Sequence, residues 1–179
     1  MERSVVIAGF GGQGVILAGK ILAQAGMSHG LEVTWLPSYG PEMRGGTANC
    51  TVILSDQPIG SPIVDEPSAV IALNLPSLDK FEPTVAKKGI LLVNRSLIAR
   101  DVKRKDIVSH AIPINDIAAQ VGNLRTVNMV ALGAYVKATG VVPLDAVKRA
   151  MAAAMRDGGK EKLVEINEKA LDAGYAAIP

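Results

Sequence analysis

The sequence is poor in the side chains that hold metals and redox groups. It has one cysteine and two histidines in 179 residues. A four-ligand zinc site or an iron–sulfur cluster held by this chain is therefore excluded. An internal disulfide is excluded too, which favours a reducing compartment. Charge of one sign is also lacking. Nineteen basic against 17 acidic residues leave a formal net charge of +2, too small to imply a nucleic-acid surface. Long apolar runs are absent as well. "MERSVVIAGFGG" carries an apolar run of about five residues, whereas a signal-peptide core needs roughly 7–15 and a spanning helix about 20. These absences point to a soluble cytoplasmic protein with neither a membrane nor a nucleic-acid partner.

A core is affordable, because 49% of residues are hydrophobic and 20% charged. That composition suits a single folded domain over residues 1–179. "SVVIAG" (Ser4–Gly9) is a short β-branched run of the kind buried on both faces of a sheet. Gln13–Gly30 reads as a helix ended by glycine, and Leu31–Leu36 as a second strand. This unit predicts a parallel strand pair joined by a right-handed crossover. Thr47–Ser55, carrying Cys50, is a third strand, and Ala69–Asn74, Gly89–Asn94 and Ile107–Ile114 are three more. A helix is expected from Pro76 to about Lys88, kinked at Pro83. The last third reads as helical. Asn123–Gly140 is apolar nearly all round and so buried, and Pro143–Met155 and Lys160–Ala176 are amphipathic and pack across one face. The expected fold is α/β: a three-layer α/β/α arrangement with a Rossmann-like, mainly parallel sheet and C-terminal helices.

"GFGGQG" (Gly9–Gly14) fits G-x-G-x-x-G between a strand and a helix, the context of a dinucleotide fingerprint. Gly9, Gly11, Gly12, Gln13 and Gly14 permit a tight turn and close backbone approach, and the helix N-terminus behind them attracts anions. The fingerprint also needs an acid at the end of the second strand. That strand ends "TWLPS", and Glu32 stands at its start, the wrong edge of the sheet. No arginine for a phosphorylated ribose takes the acid's place, which argues against free NAD or NADP. A phosphate or carbonyl of another cofactor, and a purely structural turn, are the readings left.

The stretch "SYGPEMRGG" (Ser38–Gly46) is too polar and too rich in Gly and Pro for a strand or helix. It reads as a loop leaving the C-terminal end of the second strand, the edge where open α/β sheets bind ligands. Two glycine-rich loops thus converge. Ser38, Tyr39, Gly40, Glu42, Arg44, Gly45 and Gly46 are candidates for cofactor binding or a subunit interface.

"GFGGQGV" followed by "SYGPEMRGGTANC" resembles the gamma subunit of the 2-oxoacid:ferredoxin oxidoreductases. The similarity runs on through "SPIVDEPSAVIALNLPSLDKF", "GILLVNRSLI" and "NMVALGA" to the final helices, so it covers essentially the whole chain. The resemblance implies an enzyme that converts a 2-oxoacid, coenzyme A and oxidised ferredoxin to an acyl-CoA, carbon dioxide and reduced ferredoxin. It also implies that thiamine diphosphate, Mg and the iron–sulfur clusters sit on alpha and beta partner subunits, with a delta chain as a further candidate. Ferredoxin is met indirectly. The residues agree with that division. There is no cysteine set, and no "GDG" followed by a distant Asn to hold a magnesium diphosphate, so the chain is not active alone. The Tyr39–Thr47 form of the loop is similar to the 2-oxoglutarate and 2-oxoisovalerate members, and the reading here is 2-oxoglutarate. A branched-chain or indolepyruvate oxidoreductase subunit is the near alternative. A stand-alone Rossmann-type nucleotide-binding or regulatory module is the distant one.

Glu42 and Arg44 lead the site candidates, toward coenzyme A phosphates, a neighbouring subunit or each other. Asn74 ends the fourth strand and reads as a helix cap, with ligand binding the alternative. Asn128, inside an apolar helix, needs buried partners, in a core network or in positioning the glycine turn. Tyr39 stacks at an interface or plugs its loop. Cys50 reads as an inert core thiol, and His29 and His110 as structural. Arg95–Asp106 holds five basic and two acidic residues. It reads as a solvated face, with docking of an acidic ferredoxin or subunit as the alternative.

Overall fold

A computed structural model describes residues 1–40 and 46–179. Glu42, Arg44 and Gly45 lie outside the described residues. In chain order the elements are β1 (Glu2–Phe10), α1 (Val15–Ser28), β2 (Glu32–Tyr39), β3 (Thr47–Ser55), β4 (Ala69–Ala72), α2 (Leu75–Phe81), β5 (Ile90–Asn94) and β6 (Val108–Ile112). The helices α3 (Ile114–Val121), α4 (Val127–Thr139), α5 (Leu144–Asp157) and α6 (Val164–Ala176) complete the chain. None of the described helices is long and apolar enough to cross a membrane.

The six strands form one sheet in the order β2-β3-β1-β4-β5-β6. β1, β4, β5 and β6 pair in parallel, and β3 pairs antiparallel with both β1 and β2. The expected β1–β2 pair is therefore corrected: the two strands run the same way, but β3 lies between them. Nearly all of "TANCTVILS" is half-buried or buried, which suits an interior strand. β2 is half-exposed along its length and carries Pro37 opposite Cys50, which suits an edge that needs no donor on its outer side. Because Pro is tolerated there, β2 runs three residues past Leu36, and Ser38 and Tyr39 belong to the strand rather than to the loop.

The alternation of β1 sends Val5 and Ile7 to one face and Val6 and Ala8 to the other. The first face packs against α1 and all four C-terminal helices in one apolar core. Leu78 of α2 and the segment around Val85 and Ile98 cover the second face. The result is a mixed, mostly parallel sheet flanked by helices, as expected for a Rossmann-like α/β/α fold.

Three local expectations change. The helix from Leu75 stops at Phe81, because Pro83 ends it in a 3-10 turn instead of kinking it. The strand expected over Ile107–Ile114 gives way at Pro113 to α3, a helix outside the expected set. Arg95–Asp106 is less solvated than expected, since Arg100 pairs with Asp79 at 2.7 Å and with the buried Glu82 at 2.8 Å. Arg104 pairs with Asp106 at 2.5 Å.

Candidate functional site

β1 ends at Phe10 opposite Thr47, and the chain turns at once into α1. Gly14 is the N-cap of α1, with φ 73° and ψ 23°, and among the described residues no side chain caps the helix. A side chain there would meet left-handed strain, and a Cβ would collide with Asn128. The turn is braced from inside. Gln13 Oε1 accepts the Phe10 N–H at 2.6 Å, and the Gln13 N–H returns to the Phe10 carbonyl at 3.1 Å.

The second loop meets the first as the sheet polarity requires. The Gly11 N–H donates to the Gly46 carbonyl at 2.8 Å, and the Gly40 N–H donates to the Thr47 carbonyl at 2.9 Å. Between the two loops lies a cleft of about 770 Å³. Gly11, Gly12 and Gly14 line it from the turn; Val15, Leu17 and Lys20 from α1; and Trp35, Tyr39, Gly40, Gly46 and Thr47 from the hairpin. The N–H groups of the first α1 turn lie at this edge; among the described residues no side chain caps them, and no acid stands in that turn to oppose an anion.

Of the site candidates, the structure brings together Gly11, Gly12, Gly14, Tyr39, Gly40 and Gly46. Gly9 is buried and Gln13 is the brace. Ser38 alternates to the sheet face opposite Tyr39. Tyr39 is 72% exposed and stands on the cleft wall. Asn74 is a helix cap: its Oδ1 accepts the Ser77 N–H at 2.9 Å. Asn128 holds the turn, and its Nδ2 donates to the Gly14 carbonyl at 3.1 Å. His29 caps the end of α1 through its backbone and His110 lies within β6.

Sequence reasoning misses Lys20 and Trp35. Period-2 alternation puts Trp35 on the face of Tyr39, and an i, i+3 step puts Lys20 beside Leu17, so the signal is present in both cases. Cys50 Sγ is buried behind the cleft and donates to the Val15 carbonyl at 3.3 Å. Burial pushes this thiol up to about 12, against weaker lowering by Trp35 and the Gly19 backbone. One buried thiol does not fit an iron–sulfur cluster. Among the described residues no group of three or more His, Cys, Asp or Glu gathers to hold a metal.

A family model described as pyruvate ferredoxin/flavodoxin oxidoreductase matches residues 4–177. Ketoisovalerate oxidoreductase subunit VorA of Methanothermobacter marburgensis is 42% identical over 97% of this chain, which spans 36% of that relative's length. 2-Oxoglutarate synthase subunit KorC of Methanocaldococcus jannaschii is 34% identical over 98% of this chain and 93% of its own. The crystal structure of a keto/oxoacid ferredoxin oxidoreductase gamma subunit from Geobacter sulfurreducens superposes with a TM-score of 0.85 at 34% identity. That match covers 98% of this chain and 97% of the other. The chain belongs to the pyruvate ferredoxin/flavodoxin oxidoreductase family, among the gamma-type chains of the 2-oxoacid:ferredoxin oxidoreductases.

Proposed function

We propose that this chain is the gamma subunit of a multi-subunit enzyme that oxidatively decarboxylates a 2-oxoacid, 2-oxoglutarate first. The reaction consumes the 2-oxoacid, coenzyme A and two oxidised ferredoxins. It yields the acyl-CoA, carbon dioxide, a proton and two reduced ferredoxins. Thiamine diphosphate, Mg and the iron–sulfur clusters belong in this reading to alpha and beta partners, with a delta chain as a further candidate, because the sequence has one cysteine and no "GDG" followed by a distant Asn.

The observation that carries the proposal is the cleft between the two joined loops. This chain's part is binding and orientation. The open N–H groups at the start of α1 attract a phosphate, and Lys20 adds a point charge one turn further along. Trp35 and Tyr39 give flat apolar walls for the rest of a long cofactor such as coenzyme A. Glu42 and Arg44 belong to the same proposal, as contacts toward coenzyme A or a partner chain.

A second reading, a branched-chain 2-oxoacid as substrate, draws on the 42% identity to the ketoisovalerate relative against 34% to the 2-oxoglutarate relative. One experiment decides between them. The complex that co-purifies with the tagged chain is assayed for coenzyme A-dependent ferredoxin reduction with 2-oxoglutarate, 2-oxoisovalerate, pyruvate and indolepyruvate. The chain alone should be inactive, and 2-oxoglutarate should be the fastest substrate. A faster 2-oxoisovalerate reaction selects the second reading. A lone chain that binds a nucleotide tightly and recruits no partners overturns both.

A further inference from the structure

We propose that Asn128, which does not line the cleft, is a positioning residue for the ligand taken there; this rests on the reading of the cleft as a coenzyme A site. Asn128 is 5% exposed and stands in the first turn of α4. Its Oδ1 accepts the Met129 N–H at 3.0 Å, one of the four N–H groups that a helix start leaves without a partner. That acceptance fixes which way the amide faces, so Nδ2 must point at the Gly14 carbonyl. The same carbonyl accepts the Ala18 N–H at 3.0 Å. One side chain thus ties the N-termini of two helices together, at the residue where the glycine turn becomes α1.

The post behind Asn128 is rigid. α4 is buried from Val127 to Val136. It crosses α6 so closely that a Cβ on Gly174 would collide with the Val130 carbonyl, and one on Gly133 with the Leu171 carbonyl. On either side of Gly14 the turn is held by single contacts, Gly11 to Gly46 and Val15 to Cys50. Gly12 and Gly14 both have positive φ, and the helix start has no side-chain cap. Without Asn128 the Gly14 carbonyl keeps only its intrahelical bond, and the turn between the Gly11–Gly46 and Val15–Cys50 contacts loses its tie to α4. Binding that needs those N–H groups in one arrangement then requires the ordering that Asn128 now supplies in advance.

The test uses the co-purified complex, with coenzyme A as the titrated probe. Asn128→Ala removes both hydrogen bonds, whereas Asn128→Asp keeps the acceptor for Met129 and loses the donor to Gly14. Both should raise KM for coenzyme A about fivefold, the scale of one lost neutral hydrogen bond, with kcat within about twofold of wild type. Hydrogen exchange on the same complexes should speed up in the peptide covering Phe10–Leu17 and stay unchanged across Ala131–Val136. Lys20→Ala serves as the direct cleft control. If it raises KM and both Asn128 variants do not, the positioning role is wrong and the cleft stands. If none of the three changes KM, the cleft reading itself fails. An effect of Asp alone assigns the change to added charge at the α1 N-terminus and overturns positioning. Unchanged exchange over Phe10–Leu17 does so too.

Discussion

The thiol of Cys50 sits directly behind Val15 of the cleft wall, yet its surroundings disarm it. A nucleophilic cysteine needs its thiolate. Here burial makes the thiolate costly and outweighs the lowering by Trp35 and the Gly19 backbone, and the thiol itself donates to the Val15 carbonyl. The folded thiol ionises near 12 rather than near its ordinary value of 9.0. Between those two values the unfolded chain releases a proton that the folded chain keeps. Stability should therefore fall as pH rises through that window, and Cys50→Ala should flatten the fall. In the native chain at pH 8, iodoacetamide should leave Cys50 unmodified until denaturant opens the fold, as mass spectrometry would read; rapid native alkylation would show an open thiol. The inertness of Cys50 is legible in the sequence because "TANCTVILS" reads plainly as a strand. Asn128 is only half legible. An amide in an apolar helix announces a need for partners, but the partner lies 114 positions away, and only the packing of α4 against the turn identifies it.

Among the elements, α1 and α4 are legible between their glycine-marked ends, whereas Pro83 and Pro113 mark two boundaries that the apolar pattern hides. α3 carries Ile114, Ile117, Ala118 and Val121 at helical spacing and ends in a left-handed Gly122. Its start comes straight after Pro113, with no side-chain cap to mark it, so the apolar strand pattern runs on into it. The loop after β5 misleads for another reason. Its five basic residues resemble a solvated face until the partners of Arg95, Arg100 and Arg104 are known. Glu82, at the end of α2, is 3% exposed and accepts the N–H groups of Lys103 at 2.5 Å and Arg104 at 3.0 Å, besides the Arg100 pair. Burial alone would raise this carboxyl, but the Arg104 N–H, the Arg100 guanidinium and the Lys103 N–H together hold it below the ordinary carboxylate value. The charge of Glu82 thus pins Val102–Asp106 onto the second face of the sheet. A carboxyl with a lowered folded pKa stabilises above its unfolded value and loses that contribution as pH falls through the folded one. Glu82→Gln should cost about 2 kcal/mol at neutral pH, the scale of one charge-assisted hydrogen bond. It should also remove part of the stability loss that wild type shows on acidification below 4.5. Urea titrations at pH 7 and pH 4 measure both; equal losses at the two pH values would mean that charge is not what holds the loop.

For the whole molecule, hydrophobic patterning locates the layers and the ligand edge but not β3. Hydrophobic runs say that a strand is buried, and they do not say between which neighbours. The insertion of β3 matters because it makes β2 and β3 antiparallel neighbours and hydrogen-bonds β3 to β1 as well. That ladder sets Gly40, Gly46 and Thr47 beside the first glycine turn, where they line the cleft. It also ties the exposed edge of the sheet into the common core. Cys50, Val52 and Leu54 of β3 share one apolar cluster with α1, with α4 and with Ala170 and Leu171 of α6. Elements that share this cluster should unfold together, so the chain should melt in one cooperative step. The single tryptophan makes this testable, because Trp35 lies on β2 at one end of the sheet while α4–α6 carry much of the helix. Tryptophan fluorescence and far-UV circular dichroism should give the same midpoint on thermal or urea unfolding. A fluorescence transition ahead of the dichroism change would mean that the β2–β3 hairpin and the cleft open independently of the helical core, and that the ladder to β1 does not hold them together.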